Sequence, residues 1–277
     1  QMKKRSDIFS FIIMIILSAV FLFPIAVVFM NSFKTKFSIM GSPFKLPNSA
    51  TFAGFDNYIT GIRSAGMGGA FVRSLFITIF SVAILVLLCS MTAWYIIRDT
   101  SRISGIIYKL FLFSMIVPFQ MVMYTMTYVA SALHLNNPVG IIAIYLGFGS
   151  GLSVFMLAGF VKSIPRELEE AAEIDGCTPL QTFFQIVFPI LKPTAVTVSI
   201  LNAMWIWNDY LLPYLILGNR YKTLPVAIQI SMQGAYGSVN WGGFMAMLVL
   251  AILPIIIFYL FSQKYIIEGV IAGAVKG

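Results

Sequence analysis

Residues 8 to 30 pass without one charged side chain, and so do residues 74 to 97. Each run exceeds the roughly 20 apolar residues that carry a helix across a bilayer. Neither alternates at period two, so neither reads as a strand of a transmembrane barrel. A third charge-free stretch, Leu110 to Val161, is too long for one crossing. The segment HLNNPVG, residues 134 to 140, divides it, because Asn136-Asn137-Pro138 is a turn signal. Two more apolar runs follow, about Thr194 to Leu217 and Trp241 to Gln263. The pattern predicts an all-α integral membrane protein with six spans at about 8–30, 74–97, 110–130, 139–161, 194–217 and 241–263. The spans must be helices, because lipid cannot satisfy an open backbone, and they are read as a single transmembrane domain over 1–277.

Composition agrees. The chain of 277 residues is 59% hydrophobic and 10% charged, where soluble domains are about 25% charged. Its mean hydropathy is +0.92. A net charge of +8 reports topology in such a chain rather than a nucleic-acid partner. With six spans both termini share a side. That side holds eleven Lys and Arg, among them Lys3, Lys4, Arg5, Arg98, Lys109, Lys162 and Arg166, against seven on the other. Both termini are therefore expected in the cytoplasm, with 34–70 and 218–240 outside and 162–193 inside. The basic start and long apolar run read as a retained first span, since no small-residue cleavage site follows. Gln1 ahead of Met2 reads as an artefact of numbering. Cys89 and Cys177 lie too far apart in the pattern for a disulfide. Together with the lone His134 they build no metal site.

Segment 162–193 breaks the apolar pattern. Glu167, Glu169 and Glu170 crowd the amino end of a short predicted helix beginning at Pro165, where the helix dipole favours acids. Gly176 suits a left-handed helix end. Thr178, Pro179 and Gln181 form a start signal for a second helix, Thr178 capping and Gln181 closing a capping box. Phe183, Phe184, Val187 and Phe188 make that helix apolar, and Pro189 and Pro193 are expected to stop it. A connector lying on lipid would be basic. This one sets five acids (Glu167, Glu169, Glu170, Glu173, Asp175) against Lys162, Arg166 and Lys192. An acidic corner with an aromatic cluster suits docking into a groove on a partner protein.

Glu170-Ala171-Ala172, then Gly176, Ile186 and Phe188-Pro189 at their spacing, resembles the EAA loop of ABC-importer permeases, with Phe188 where the family pattern has Leu. WIWNDYLLPYLIL at 205–217, KTLPVAIQ at 222–229, EGVIAGAVKG at 268–277 and NSFKTK at 31–36 resemble the carbohydrate branch, most of all the second permease of the maltose type. The resemblance implies a cytoplasmic coupling loop whose Glu170, Ala171, Ala172, Gly176, Ile186 and Pro189 dock an ABC ATPase. It further implies a homologous second permease, two copies of the ATPase, an extracytoplasmic solute-binding protein, a sugar or oligosaccharide substrate, and a place in a bacterial or archaeal cytoplasmic membrane. The chain carries no GxxxxGK[ST] phosphate loop. It is read as a transport subunit without cofactor, and ATP and magnesium are expected on the separate ATPase.

Asp209 is the single acid inside a predicted span. At the bilayer centre it would cost about 2.5–3.5 kcal/mol, so it must face protein or water. Asn202, Trp205 and Asp209 fall on one helix face. Indole, amide and carboxylate together suit a sugar, but Asp209 and Asn208 could equally bind backbone freed near Pro213. Gln120 and Tyr124, four residues apart after Pro118, either line the route or bond between helices. Gly147 and Gly151 are expected to let helices approach. Two rival readings stay open. One is an ABC permease for an amino acid, phosphate or peptide. The other is a secondary transporter, which would need inverted repeats and coupling charges that the chain does not display.

Overall fold

A computed structural model describes residues 2–232 and 239–274. Gln1, residues 233–238 and residues 275–277 lie outside the described residues, and with them part of the expected 218–240 loop and the end of the 268–277 tail motif. The described chain is helical: α1 (Met2–Asn31), α2 (Lys36–Gly41), α3 (Asp56–Ala65), α4 (Met67–Arg98), α5 (Arg102–Ser114), α6 (Phe119–Ala132), α7 (Gly140–Val161), α8 (Glu167–Ile174), α9 (Pro179–Thr182), a π turn (Phe183–Val187), α10 (Phe188–Asn208), α11 (Leu211–Leu217), α12 (Leu224–Met232) and α13 (Trp241–Ala274). By length and apolar composition five helices can cross a membrane, six if α5 and α6 count as one broken span. Contacts divide the chain into two compact units, Gln1–Gly69 with Val226–Ile256, and Ala70–Pro225 with Ile257–Gly277.

In the first unit, the segment after α1 is tied by its own polar side chains. Lys34 is 1% exposed, and its Nζ donates to the carbonyls of Ser42 at 2.7 Å and Lys45 at 2.9 Å. Burial holds this ammonium below its ordinary pKa. Asn57 Nδ2 donates to the carbonyls of Ser32 and Lys34 at 2.8 and 2.9 Å. Phe33 packs its ring against Phe29, Phe52, Phe55 and Tyr58. What reads in sequence as an outside loop is thus a folded cap, because one buried lysine satisfies carbonyls that no helix ladder reaches.

The second unit holds the candidate site. Leu85, Cys89 and Ala93 of α4 pack with Val154, Leu157 and Ala158 of α7 and Ala195 and Val198 of α10. Small residues at this junction let the backbones come close, which suits helices that associate without a hydrophobic driving force. Gly151 lets α7 approach α5 in the same way, since a Cβ there would meet Ser114, Met115 and Phe111. Gly147 does not, for a Cβ there meets nothing within 4 Å. Cys89 is buried, Cys177 half-buried, and both are free thiols.

α1, α4 and α13 run past the expected spans, and four further departures bear on the site. The expected span 110–130 is two helices, α5 and α6, meeting at 108°. Pro118 stands in extended conformation at the start of α6, and a proline biases the residue before it away from helix. Each piece is about 20 Å long at 1.5 Å per residue, short of the roughly 30 Å hydrocarbon core. α5 also starts earlier than expected, inside the basic segment after α4, because Ser101 caps it by accepting from the Ser104 N–H at 3.2 Å. The Asp99 carboxylate takes hydrogen bonds from both serines, which hold it below the usual carboxylate pKa.

Second, Pro189 and Pro193 do not stop the helix after the corner. α9, the π turn and α10 run on as one 30-residue helix, Pro179–Asn208. The wider π turn opens the carbonyl ladder ahead of Pro189, where a ring without an N–H would otherwise clash. Third, the expected span 194–217 is interrupted. α10 ends at Asn208, Asp209 is extended (φ −71°, ψ 123°), and α11 begins at Leu211. Fourth, α8 begins at Glu167 rather than Pro165.

Candidate functional site

Two regions collect the residues singled out in sequence. The first is the corner after α7. α8 ends in a hydrogen-bonded lock: the Gly176 N–H donates to the Glu173 carbonyl at 3.0 Å and the Cys177 N–H to the Ala172 carbonyl at 2.9 Å. This pairing requires a left-handed residue, and Gly176 supplies it with φ +83°. The next helix opens with a capping box. The Thr178 N–H donates to Gln181 Oε1 at 2.8 Å, and Thr178 Oγ1 accepts from the Gln181 N–H at 3.4 Å. Both features follow from sequence through local chemistry alone.

The corner has an inner and an outer face. Ala172 is buried, as are Val161, Ile164, Phe183, Val187 and Leu191, which pack together beneath it. Glu170, Ala171, Glu173, Asp175 and Gly176 are exposed, and a Cβ on Gly176 would meet nothing within 4 Å. Ile174 is 86% exposed and Leu180 59%. Acids and large apolar side chains thus share one outward surface, and apolar groups this exposed call for a partner. Ile186 is half-buried within the π turn and Pro189 is exposed at the start of α10.

The corner is fastened to α4 by residues the sequence reading did not single out. Glu169, counted there only as a helix-start acid, is 8% exposed. Arg98 donates to it from Nε at 2.9 Å and from Nη2 at 2.6 Å. Trp94 Nε1 donates to its other oxygen at 3.0 Å, and Arg98 Nη2 also reaches the Ile164 carbonyl at 2.9 Å. Trp94 and Arg98 stand four residues apart, on one face at the end of α4. That spacing is the signal available in sequence.

The second region is the seam between α7 and α10. Tyr145, Gly149 and Ser153 recur every four residues on α7. They meet Asp209, Trp205 and Asn202 in turn. Tyr145 Oη donates to Asp209 Oδ2 at 3.0 Å, and its ring meets Trp205 edge-on at 5.4 Å between centroids. Gly149 makes room for Trp205 and Asn202, whose atoms would lie 3.5 and 2.9 Å from a Cβ. Asn202 Nδ2 donates to Ser153 Oγ at 3.1 Å and to the Val198 carbonyl at 2.9 Å. Asp209 Oδ1 accepts from the N–H groups of Leu211 at 3.1 Å and Leu212 at 3.4 Å, capping α11. Asn202, Trp205 and Asp209 do share a face, but it closes on α7. Asn202 is buried and Asp209 half-buried, their hydrogen bonds spent inside the chain, whereas Trp205 keeps 40% exposure. On α6, Gln120 and Tyr124 are exposed, Tyr124 at 75%.

The helical architecture and apolar spans define a polytopic membrane protein. Residues 86–271 match the model of the family described as binding-protein-dependent transport system inner membrane component, and the chain belongs to that family. It is 39% identical over 262 residues to the protein named probable starch degradation products transport system permease protein AmyC of Thermoanaerobacterium thermosulfurigenes, covering 95% of this chain and 94% of that one. It is 38% identical to the multiple sugar-binding transport system permease protein MsmG of Streptococcus mutans, covering 99% and 100%. It is 34% identical to the melibiose/raffinose/stachyose import permease protein MelC of Bacillus subtilis, covering 80% and 81%. Among solved structures, a chain of a bacterial ABC transporter involved in alginate import superposes with a TM-score of 0.81 at 22% identity, covering 96% and 98%, and shares the fold.

Proposed function

We propose that this chain is one of two paired permease subunits of an ABC importer for a sugar or oligosaccharide. The outward face of the corner carries the reading. It presents Glu170, Ala171 and Gly176 at the EAA spacing on a rigid bend, with Glu173, Asp175, Ile174 and Leu180 exposed around them. That surface suits insertion into a groove on a separate ATPase, which would hold ATP and magnesium and perform the hydrolysis. The corner and both termini would then lie in the cytoplasm, and an extracytoplasmic solute-binding protein would deliver substrate on the opposite side. The sugar class is supported by relatives named for starch degradation products, multiple sugars and raffinose-type oligosaccharides.

Within the spans, the exposed polar groups Gln120 and Tyr124 on α6 and the free edge of Trp205 are the candidates for the substrate route. Asn202 and Asp209 shape the helix that carries Trp205. Deletion of this gene from its host should abolish uptake of radiolabelled maltotriose or raffinose and leave glycine-betaine, phosphate and amino-acid uptake unchanged. Loss of amino-acid or phosphate uptake with sugar uptake intact would replace the sugar reading with the rival importer class.

A further inference from the structure

The corner has two mechanical connections to the rest of its unit, and they differ in kind. Its second arm is continuous backbone: α9 passes through the π turn into α10 without a break in the helix. Its first arm, α8, is instead joined to α7 by the short turn of residues 162–166. What holds α8 firmly is the side-chain attachment to α4, in which one buried carboxylate accepts from two nitrogens of Arg98 and from Trp94. The pair Arg98–Glu169 is 2.6 Å long with side chains 17% and 11% exposed, so water screens it little. A two-pronged guanidinium contact also fixes orientation, which a single charge does not.

Trp94 belongs to both connections. Its indole N–H holds Glu169, and its ring packs on Phe183 at 5.6 Å, at the first residue of the π turn. Phe183 is fully buried and in turn contacts Phe184 and Phe188. Glu169 on α8, the π turn on the other arm and the end of α4 therefore converge on one side chain. π turns are rare, and those that interrupt α-helices frequently sit at functional sites.

We propose that Arg98, Glu169 and Trp94 form a transmission clamp that divides movement of the corner between two helices. α4 is driven through the clamp and α10 through the π turn. None of the three lies on the outward face, so they act as positioning residues and leave the docking surface to Glu170, Ala171 and Gly176. The proposal rests on the reading of the corner as an ATPase joint. It adds that the ion pair is a force-bearing link to α4 and not simply a stabilising contact. Removing the fork while keeping the charge should uncouple α4 alone.

The test uses the complete importer purified from its host membranes through a tag on this chain, with MgATP as the probe. A thiol reporter is placed on α4 at the exposed position Val72 (Val72→Cys) and, in a second preparation, on α10 at the exposed position Leu201 (Leu201→Cys), with Cys177 replaced by serine. In the wild-type background MgATP with vanadate should change maleimide labelling at both positions. In Arg98→Lys, which retains the charge but not the two-pronged contact, the α4 response should be lost. The α10 response and capture of the ATPase should persist. Trp94→Phe, which keeps the ring and removes the N–H, should weaken the α4 response in the same selective way. The exchange Arg98→Glu with Glu169→Arg should restore part of it. Unchanged responses at both positions in Arg98→Lys overturn the clamp and leave the docking reading standing. Equal loss at both positions with the ATPase still bound also overturns it, because the ion pair would then serve the corner as a whole. A wild-type complex that contains no ATPase overturns the docking reading and the clamp with it.

Discussion

The corner and the α7–α10 seam both place polar side chains in a chain that is otherwise apolar, yet they use them in opposite ways. In the seam the polar groups are consumed internally. Asp209 caps α11 and accepts from Tyr145, and Asn202 holds Ser153 and the Val198 carbonyl. In the corner a single acid is consumed, Glu169. Glu170, Glu173 and Asp175 stand exposed beside Ile174 and Leu180. Equal conspicuousness in sequence therefore conceals different roles. An acid whose oxygens already accept from its own chain is shaping a helix, and one left outward beside apolar side chains is free to meet a partner.

Breaking the inner side of the corner should have the largest effect. Glu169→Ala leaves Arg98 desolvated without its carboxylate, and losing one partner of a buried pair costs about 3–5 kcal/mol. A fall in the thermal midpoint of the detergent-purified complex, larger than for any seam variant named below, is expected. A midpoint equal to wild type would mean that the pair is solvated and that the two faces of the corner do not differ.

The seam should respond next, through packing. Gly149→Val would drive a side chain into Leu85, Asn202 and Trp205. Overpacking of this kind costs about 1–3 kcal/mol, and the expected result is reduced assembly yield with normal sugar selectivity in what assembles. Asp209→Ala should follow, losing a cap worth about 0.5–2 kcal/mol. It should lower thermal stability while the relative uptake of different oligosaccharides stays fixed. A change in sugar preference with stability intact would move Asp209 from the helix-shaping to the substrate-handling side of the comparison. The smallest stability effect belongs to Glu170→Ala, since an exposed ion pair is worth about 0–1 kcal/mol. Its signature is a weaker complex with the ATPase whose salt dependence is flatter than wild type.

Much of the corner is legible in the sequence. Gly176 and the Thr178–Gln181 capping box are local signals, in which a few neighbouring residues settle the backbone. The apolar stretches that form α1, α4, α7 and α13 were equally plain. What the sequence hid was long-range or a matter of competition. The clamp joins residues 71 and 75 positions apart, so no local pattern announces it. Pro189 and Pro193 are helix stops in water, but a π turn absorbs the first and a membrane helix tolerates the second. The bend at Pro118 lies in a charge-free run, where hydropathy alone cannot tell a straight helix from a broken one. The face shared by Asn202, Trp205 and Asp209 was visible from spacing. Its closing on α7 was not, because that depends on Gly149 and Tyr145 lying opposite.

The central claim is that the outward corner is the joint to an ATPase, and Gly176→Leu tests it most directly. Leucine at φ +83° is strained, and the side chain would stand on a surface that is open in the chain alone. The measurement is MgATP hydrolysis by the complete reconstituted importer, with and without its sugar-loaded binding protein, beside the amount of ATPase retained on the tagged permease. The account predicts loss of ATPase retention and of stimulated hydrolysis, with the permease still inserted and paired with its partner. Wild-type retention and wild-type stimulation in Gly176→Leu would contradict it and leave the corner a passive connector.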